Sequence, residues 1–418
     1  MASPESQGAQ AYLYPEGRTM AEMTKQGHTQ PGLSALVRTM APSPTIAASA
    51  RAKALARQGK PVLELTVGEP DFDTPEHIKD AAYRAIRDGK TKYTPSGGII
   101  ELKEAVAHKL HRENGVEYDP ASEVCICIGG KQALYNLMVA LLNPGDEVLV
   151  PVPTWATFSD QVALVGGVPI HVPLGPDHKL RASDLVGHVT PRTRAVIVNS
   201  PSNPTGVVMD PEEVRAVTRF AIEHGIYVIT DDTYEHFLYD GAVHQFAAAD
   251  VPSARDWVLA VNTVSKTYAM TGWRIGFVAG PKTIIKAVDS LMTQTTSNPC
   301  SIAQWAAVEA LNGSQECVHE MVAEFDARRR MFVSGLCGVG YECPMPEGAF
   351  YAYPRIQSGP AGGPGDSNAY ALRLLDEAYI SCVAGAAFFD GSGTLRMSYA
   401  ASRAVLQEVL DRLATFGH

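Results

Sequence analysis

Short apolar runs that are typical of β-strands alternate with helical stretches through the middle of this chain. Five such runs stand out, namely VCICI from Val124, EVLV from Glu147, RAVIV from Arg194, YVIT from Tyr227 and VLAVN from Val258. Between them lie helix patterns such as ALYNLMVALL from Ala133 and EEVRAVTRFAIEHG from Glu212. Because strands that alternate with helices pair mainly in parallel, this pattern predicts an α/β fold with a mainly parallel sheet flanked by helices.

The alternation falls within residues 76–310, which are expected to form a large domain. A smaller α+β domain is expected from two distant pieces, residues 31–75 and 311–418, because a long helix pattern near Glu316 to Leu336 precedes strand patterns at 348–353 and 394–398. A glycine-rich loop, GPAGGPGDSN from Gly359, separates those strand patterns. Residues 1–30 are polar and are expected to form a mobile tail.

The composition excludes several classes of function. Lys and Arg number 35 against 45 Asp and Glu, a net charge of −10 without the concentrated positive field that binds nucleic acid. The longest charge-free stretches are too short or too broken by polar residues to span a membrane. The first residues do not resemble a secretory signal, and seven cysteines without a CxxC pair predict reduced thiols and no metal site. We therefore expect a cytoplasmic protein.

Candidate functional residues follow the strand patterns, where a parallel sheet binds its ligands. Lys266 follows the run VLAVN within VNTVSKTYAMTGWRIGF, and Arg274 comes shortly after it. A lysine after a strand is usually a solvated surface residue, whereas a buried lysine has a lowered pKa and can form a Schiff base with an aldehyde. At this point both interpretations stay open.

Three further segments follow strand patterns in the same way. Asp231 ends the run in VITDDTYEH, close to Tyr234, and could hold a pyridinium proton or simply cap a helix. Asn203 lies in NSPSNPTG, which is either an ordinary turn or a stiff loop that presents an amide to a ligand. Gly129 and Gly130 join a strand to a helix in IGGKQAL, an arrangement that cradles phosphate but is weak evidence alone.

Six ordered motifs connect these segments to a known family: VGEPDFDTPEHI, GKTKYTPSGG, GGKQAL, NSPSNPTG, SKTYAMTGWRIG and LRMSYA. Together they resemble the fold-type-I, pyridoxal-phosphate-dependent aminotransferases of class I, over nearly the whole chain from about Ser43. The likeness is closest to the prokaryotic-type aspartate and prephenate aminotransferase subgroup. It implies an enzyme that uses pyridoxal 5'-phosphate to transfer an amino group between an amino acid and a 2-oxo acid.

The resemblance implies a role for each residue around the cofactor ring. Lys266 would hold the cofactor as a Schiff base and later carry the proton between substrate and cofactor. Asp231 would keep the pyridine nitrogen protonated, which makes the ring an electron sink. Tyr234 and Asn203 would hydrogen-bond the phenolic oxygen of the cofactor. Trp155, in PVPTWATF, would stack on the ring.

The cofactor phosphate would meet a second set of donors that the resemblance implies. Backbone amides at a helix start, hydroxyl groups and a guanidinium would surround it. These donors would come from Gly130, Lys131, Thr263, Ser265 and Arg274. Tyr93 would reach the same phosphate from the neighbouring subunit, so the resemblance implies a homodimer with shared active sites.

The two carboxylates of an acidic substrate would each need a cationic partner. Arg396, in LRMSYA, would clamp the α-carboxylate, with the Gly68 backbone and Asn203 nearby. The animal-type aspartate enzymes place an arginine for the second carboxylate where this chain has Thr293. The prokaryotic-type subgroup instead uses a lysine with hydroxyl groups near the amino-terminal segment, and the matching residues are present as Lys131, Ser43 and Thr45. The resemblance therefore implies aspartate, glutamate or prephenate/arogenate as substrates.

Several positions depart from the pattern of that subgroup. Ala384 stands for proline and Phe389 for glycine in VAGAAFFDG, and Phe389 adds a bulky ring to a loop expected near the substrate entrance. Asp232 and Thr233, in TDDTYEH, replace a glutamate and an apolar residue, and PTWATF replaces a Tyr-Trp-Val pattern. The residues expected to hold the cofactor are kept while those around them differ.

Three interpretations of these departures stay open. The chain is an aminotransferase with an altered rim, or a repurposed enzyme of the same fold that catalyses β- or γ-elimination or γ-replacement on an amino acid such as S-adenosylmethionine. A non-catalytic, aminotransferase-like transcription regulator is the third. Such a regulator normally carries a basic DNA-binding domain ahead of this fold, and the polar segment of about 30 residues is too short for one.

Overall fold

The computed structural model of the chain describes residues 32–34, 44–356 and 366–416. Its strands are β1 (Leu63–Glu64), β2 (Val124–Cys127), β3 (Glu147–Val152), β4 (Val168–Pro173), β5 (Thr193–Asn199), β6 (Tyr227–Asp231), β7 (Val258–Thr263), β8 (Gly276–Ala279), β9 (Tyr351–Ala352), β10 (Ile380–Ser381), β11 (Val383–Ala384) and β12 (Leu395–Ser398). Its α-helices are α1 (Pro44–Arg57), α2 (Glu76–Arg87), α3 (Ile100–Asn114), α4 (Gly129–Leu141), α5 (Thr157–Leu164), α6 (Ala182–Leu185), α7 (Pro211–Glu223), α8 (Lys282–Thr295), α9 (Ser301–Asn312), α10 (Glu316–Gly338), α11 (Ser367–Glu377) and α12 (Arg403–Phe416).

The largest sheet has seven strands in the spatial order β2-β8-β7-β6-β5-β3-β4. Neighbouring strands from β7 to β4 run parallel, and β8 runs antiparallel to both β2 and β7. The predicted α/β fold with a mainly parallel sheet is therefore confirmed. Five of the seven strands coincide with the predicted apolar runs, and β4 and β8 are additional.

Helices cover both faces of this sheet because its strands are apolar on both sides. On β3, Val148 and Val150 join a core shared with α4 and α8, whereas Leu149 joins the core on the opposite face. On β5, Ile197 joins the core shared with α4 and α8, and Val196 joins the core on the opposite face. The alternation follows from the two-residue period of a strand, and it buries the sheet from both sides.

A separate apolar core lies around α10, α12 and the three-stranded sheet β11-β12-β9. Phe325, Phe350 and Tyr399 supply its aromatic centre, and Leu65 joins it from far earlier in the chain. Strand β1 pairs with β10 in parallel, which ties residues near the start of the described chain to residues near its end. The expected division at residues 75 and 311 stays a prediction, and this core also includes Tyr234, Phe237 and Tyr239 from between those two bounds.

The predicted helix near Glu316 to Leu336 is confirmed as α10, and the predicted strand patterns near its carboxyl side contain β9 and β12. The expected tail at residues 1–30 and most of the loop that begins at Gly359 lie outside the described residues. Among the described helices, none combines the length and the apolar composition needed to cross a membrane.

Candidate active site

A cavity of about 250 Å³ opens at the carboxyl edge of the large sheet. It is lined by Thr45, Gly68, Gly130, Lys131, Trp155, Asn199, Asn203, Asp231, Thr233, Tyr234, Thr263, Ser265, Lys266, Arg274, Tyr351 and Arg396. The sheet register brings these residues together, since Asn199 at the end of β5 pairs with Asp231 at the end of β6. Polar side chains that are distant in sequence therefore meet in one cavity, as expected for a parallel sheet.

Lys266 is held inside this cavity rather than in solvent. Its Nζ donates a hydrogen bond of 2.6 Å to the carbonyl oxygen of Gly68. Burial lowers the pKa of the Lys266 ammonium to about 8; Glu69 opposes this shift, while the positive charges of Arg274 and Arg396 add to it. A lysine with this pKa is partly neutral near physiological pH, so it can act as a nucleophile and as a base.

Asp231 presents a buried carboxylate to the cavity. The backbone N–H and the hydroxyl group of Thr233 both donate to Asp231 Oδ1, at 3.2 and 2.5 Å. The Asn199 side chain donates to the Asp231 backbone carbonyl at 3.0 Å. Burial raises the pKa of the Asp231 carboxyl, and the Thr233 hydrogen bonds and the nearby Lys266 charge oppose that rise.

The start of α4 forms an anion-binding corner of the cavity. Gly129 has a φ of +75°, and a Cβ atom at this position would lie 2.3 Å from Arg274 Nη2, so glycine is required there. The Thr263 and Ser265 hydroxyl oxygens lie 2.7 Å apart beside it. The Thr263 hydroxyl already donates to the Ile275 carbonyl oxygen at 2.7 Å. Amides at a helix start, the Ser265 hydroxyl and a guanidinium are together suited to a phosphate.

Arg396 is a buried arginine that is held from several directions. Its guanidinium donates to Asn203 Oδ1 at 2.9 Å and to the Thr66 carbonyl oxygen. It lies over the rings of Tyr351 and Phe388, at 4.6 and 5.1 Å from the ring centroids. Arg396 Nε is buried and has no hydrogen-bond acceptor among the described residues. A buried guanidinium with a free donor is suited to an incoming carboxylate.

Tyr234 and Tyr351 form a hydrogen-bonded pair of buried hydroxyl groups, with their oxygens 2.6 Å apart. Burial raises the pKa of the Tyr234 hydroxyl well above its usual range, so this group stays protonated and able to donate. A Cβ atom at Gly68 would lie 2.0 Å from the Tyr351 hydroxyl oxygen. Glycine at position 68 therefore leaves room for the Tyr351 hydroxyl group.

Lys131 supplies a second cation to the cavity in a different environment. Its Nζ lies over the Trp155 ring, 4.8 Å from the centroid. Burial lowers the pKa of the Lys131 ammonium, the Arg274 charge adds to this shift, and Asp160 opposes it. No described carboxylate forms a salt bridge with Lys131.

The structure brings most of the predicted site residues into one cavity, with two exceptions. Ser43 lies outside the described residues, although Thr45 lines the cavity. Tyr93 is 90% exposed and does not line the cavity of its own chain. Its expected contact belongs to a neighbouring subunit and stays a prediction.

Three residues that line the cavity were not selected from the sequence: Asn199, Thr233 and Tyr351. Asn199 lies within the quoted motif NSPSNPTG, and its position at the end of a strand pattern could have identified it. Thr233 was noted as a departure only. Tyr351 carries no local signal, because its contact with Tyr234 joins positions 117 residues apart.

Phe389 and Thr293, two positions that the sequence comparison singled out, do not line the cavity. The Phe389 ring packs against His171, with centroids 4.2 Å apart, and does not line the described cavity. Phe389 also has a φ of +63°, a conformation that favours the glycine expected there. Thr293 is exposed on α8, and its hydroxyl donates to the Ser290 carbonyl oxygen.

A buried ion pair lies behind the cavity. Lys109 on α3 forms a salt bridge with Glu235, which also accepts hydrogen bonds from Asn114 and Asn262. Burial favours the neutral acid, but Lys109 and the nearby histidines outweigh it and hold the pKa of Glu235 well below its usual range. Glu113, Glu235 and His236 have ligand atoms within 4.8 Å of one another, as a metal site would, and the Lys109 ammonium already supplies positive charge there.

These groups match the needs of one kind of cofactor. A buried amine of lowered pKa suits an aldehyde, a buried carboxylate suits a pyridinium nitrogen, and the start of α4 suits a phosphate. Lys266, Asp231 and Arg274 are the residues that would hold these three parts. The fold and the cavity therefore define a pyridoxal-phosphate-dependent enzyme.

Comparison with known proteins identifies the family of pyridoxal-phosphate-dependent enzymes that this chain resembles. The sequence profile of the family described as aminotransferase class I and II matches residues 60–413. An aspartate/prephenate aminotransferase of Cereibacter sphaeroides is 46% identical over 394 residues, which cover 92% of this chain and 98% of the relative. An aspartate aminotransferase of Geobacillus stearothermophilus is 43% identical over 388 residues, with the same two coverages. The solved structure of the aspartate aminotransferase from Thermus thermophilus with maleate has a TM-score of 0.88 and 43% identity, covering 93% of this chain and 100% of that one.

The chain belongs to the class I and II aminotransferase family. It is a pyridoxal-phosphate-dependent aminotransferase, and its substrates are small molecules, an amino acid and a 2-oxo acid. The predicted enzyme class and cofactor are therefore confirmed. The comparisons do not support the alternatives of an elimination or replacement enzyme or of a non-catalytic regulator.

Proposed function

We propose that this aminotransferase acts on an acidic amino acid of the aspartate/glutamate or prephenate/arogenate type. The observation that supports this substrate class is that two cations, Arg396 and Lys131, line the cavity besides Lys266 and Arg274, which are proposed to hold the cofactor. One cation suffices for the α-carboxylate that every amino acid carries. The second forms no salt bridge with a carboxylate of the described residues, and it suits a substrate with a second carboxylate. Relatives named aspartate/prephenate aminotransferase agree with this choice.

The roles proposed for the site residues follow from their surroundings. Pyridoxal phosphate, once bound, supplies an aldehyde for the amino group and a ring that delocalises negative charge. Arg396 orients the substrate through its α-carboxylate, and Asp231 holds a proton at the pyridine nitrogen. Tyr234 and Asn203 offer donors to the phenolic oxygen, and Trp155 offers an aromatic face to the ring.

Lys266 moves the proton in this proposal. It removes the proton from the substrate Cα as a neutral amine and delivers it to the carbon that carried the aldehyde. Its pKa of about 8 suits both directions, because the neutral and protonated forms are both accessible near neutral pH.

Replacing Lys266 by Ala tests this assignment. We expect kcat to fall by at least about 100-fold, because a positioned general acid–base group contributes about that much or more. The measurement is transfer of the amino group from aspartate to 2-oxoglutarate by the cofactor-loaded enzyme, with products identified by mass spectrometry. Lys282→Ala, at an exposed lysine, is the control and should keep wild-type activity. A Lys266→Ala enzyme within a few-fold of wild type would falsify the assignment.

The remaining parts of the proposal concern assembly and location. We include the homodimer with shared sites, in which Tyr93 of one subunit reaches the phosphate of the other. The 90% exposure of Tyr93 within one chain is compatible with a partner contact. Sedimentation of the loaded enzyme should give a dimer, and a fully active monomer would contradict the shared site. The cytoplasmic location expected from the sequence is likewise retained as a proposal.

A further inference from the structure

The Asp231 carboxylate is fixed through only one of its two oxygens. The backbone N–H and the hydroxyl of Thr233 both donate to Oδ1, and the hydroxyl bond is short, at 2.5 Å. Among the described residues, no side chain or backbone group donates to Oδ2. Two converging donors hold one oxygen of the carboxylate and set the rotation of the whole group.

The Asp231 backbone is held independently of its side chain. Asn199 Nδ2 donates to the Asp231 carbonyl oxygen at 3.0 Å, and Asn199 Oδ1 accepts from the Asn203 N–H at 2.9 Å. These contacts fix where the residue stands at the end of β6. They do not set the side-chain rotation, which is left to Thr233.

The Thr233 hydroxyl acts on a carboxylate that is buried and costly to ionise. Burial is the largest influence on the pKa of Asp231 and raises it, and the Thr233 hydroxyl bond is the largest influence in the opposite direction. Lys266 contributes less in that direction. Thr233 itself lines the cavity and is 9% exposed, so solvent does not readily replace its hydroxyl.

We propose that Thr233 is a positioning residue, which holds Asp231 Oδ1 so that Oδ2 faces the pyridine nitrogen of the cofactor. This inference rests on the role proposed above for Asp231. An apolar side chain at position 233, which the resemblance led us to expect, would leave only the longer backbone bond of 3.2 Å. The hydroxyl is therefore a property of this chain that acts on the cofactor through Asp231.

The test compares Thr233→Val, which removes the hydroxyl and keeps the shape, with Thr233→Ser, which keeps the hydroxyl. We expect kcat to fall about tenfold in Thr233→Val, because a lost hydrogen bond to a charged group has at least that effect, with little change in KM. Thr233→Ser should stay within about twofold of wild type. The matched control is Thr230→Val, since Thr230 makes an equivalent hydroxyl bond of 2.6 Å to Asp232, which does not line the cavity.

Two measurements report on the cofactor without relying on turnover. The dissociation constant of pyridoxal phosphate from the cofactor-depleted protein should rise about tenfold in Thr233→Val and not in Thr230→Val. The ¹⁵N chemical shift of pyridine-labelled cofactor should move toward that of neutral pyridine in Thr233→Val only. If Thr233→Val does not fold, judged by circular dichroism and gel filtration, Thr233→Ala takes its place in both measurements.

Each outcome decides the matter. A wild-type ¹⁵N shift and kcat in Thr233→Val would overturn the inference, as would a Thr233→Ser enzyme that is equally impaired, because packing and not the hydroxyl would then matter. Asp231→Asn tests the role of Asp231 separately from the role of Thr233. If Asp231→Asn keeps wild-type kcat and cofactor affinity, the role of Asp231 fails; if it loses both while Thr233→Val does not, only the role of Thr233 fails.

Discussion

The two cations proposed for substrate carboxylates, Arg396 and Lys131, differ in how firmly the protein holds them. Arg396 has hydrogen-bond acceptors in Asn203 and Thr66 and two aromatic rings against its guanidinium, and it is 2% exposed. Lys131 has one aromatic contact, with Trp155, and has no carboxylate partner among the described residues. Arg396 is therefore held by several contacts before substrate arrives, whereas Lys131 is held by one aromatic contact.

This difference matches what each cation has to recognise. All amino acid substrates share an α-carboxylate in one position, so a rigid, two-pronged guanidinium loses little entropy when it binds. Side chains differ in length and shape, and a flexible ammonium can follow them. Arg396 should therefore control activity toward every substrate, and Lys131 should control the choice among substrates.

Arg396→Ala should have the largest effect of the three substitutions that test this comparison. We expect kcat/KM to fall roughly 30- to 5,000-fold for acidic and apolar amino acids alike, because a buried charge partner is lost. This range corresponds to about 2 to 5 kcal/mol of lost transition-state stabilisation. Arg396→Lys keeps the charge without the fork and should recover only part of the loss. Steady-state kinetics over a panel of amino acids measures the effect. A loss confined to dicarboxylates would reverse the roles of the two cations.

Lys131→Met should have an intermediate and selective effect. It keeps an unbranched side chain and removes the charge, so kcat/KM for aspartate or glutamate should fall roughly 10- to 150-fold. This range corresponds to about 1.5 to 3 kcal/mol of lost transition-state stabilisation. Apolar amino acids should change much less. Equal losses for both classes of substrate would place Lys131 outside the second carboxylate site.

The pH dependence of this recognition gives a control within the wild-type enzyme. Lys131 is charged below its pKa, and burial lowers that pKa, so the charge is lost at lower pH than for an exposed lysine. The KM for aspartate should therefore rise as the pH climbs, and this rise should be absent in Lys131→Met. The same rise in the variant would assign it to another group.

Trp155→Phe should have the smallest effect. It keeps an aromatic face for the cofactor and weakens the contact with the Lys131 ammonium, so the preference for dicarboxylates should change by about 0.5 to 1 kcal/mol, roughly two- to fivefold. The measured quantity is the ratio of kcat/KM for glutamate to that for an apolar amino acid. A change as large as that in Lys131→Met would show that the contact with Trp155, and not the flexibility of the lysine side chain, determines how Lys131 recognises the substrate.

The sequence predicted five of the seven strands of the large sheet, and segments at the ends of those strands supply several of the residues that line the cavity. Lys266, Asp231 and Asn203 lie within a few residues of apolar runs, so the rule that ligands bind at strand ends made them candidates, and the resemblance implied their roles. Strand β8 was missed because it has only four residues and begins with a glycine, a residue that is depleted in strands. Strand β4 was missed because VPIHVP carries two prolines and a histidine, which weaken the strand pattern at a sheet edge.

The contacts that hold the site could not be predicted for a related reason. The bond from Arg396 to Asn203 spans 193 positions, and the bond from Lys266 to Gly68 spans 198. No periodic pattern records such pairs. The resemblance located these residues one by one. Tyr351, which no motif singled out, became a functional candidate only through its contact with Tyr234. Thr233 differs, because its contact with Asp231 joins positions two residues apart.

The buried ion pair of Lys109 and Glu235 should make position 109 intolerant of substitution. Lys109 does not hydrogen-bond any of the described residues that line the cavity, yet Glu235 directly follows Tyr234 and binds Asn262, which directly precedes Thr263. Removing one partner of a buried ion pair costs about 3 to 5 kcal/mol, and here the cost falls on two segments that carry site residues. In a library of random variants, position 109 should therefore rank with the active-site positions among those that accept almost no replacement, although nothing in the chemistry of amino transfer requires a lysine there.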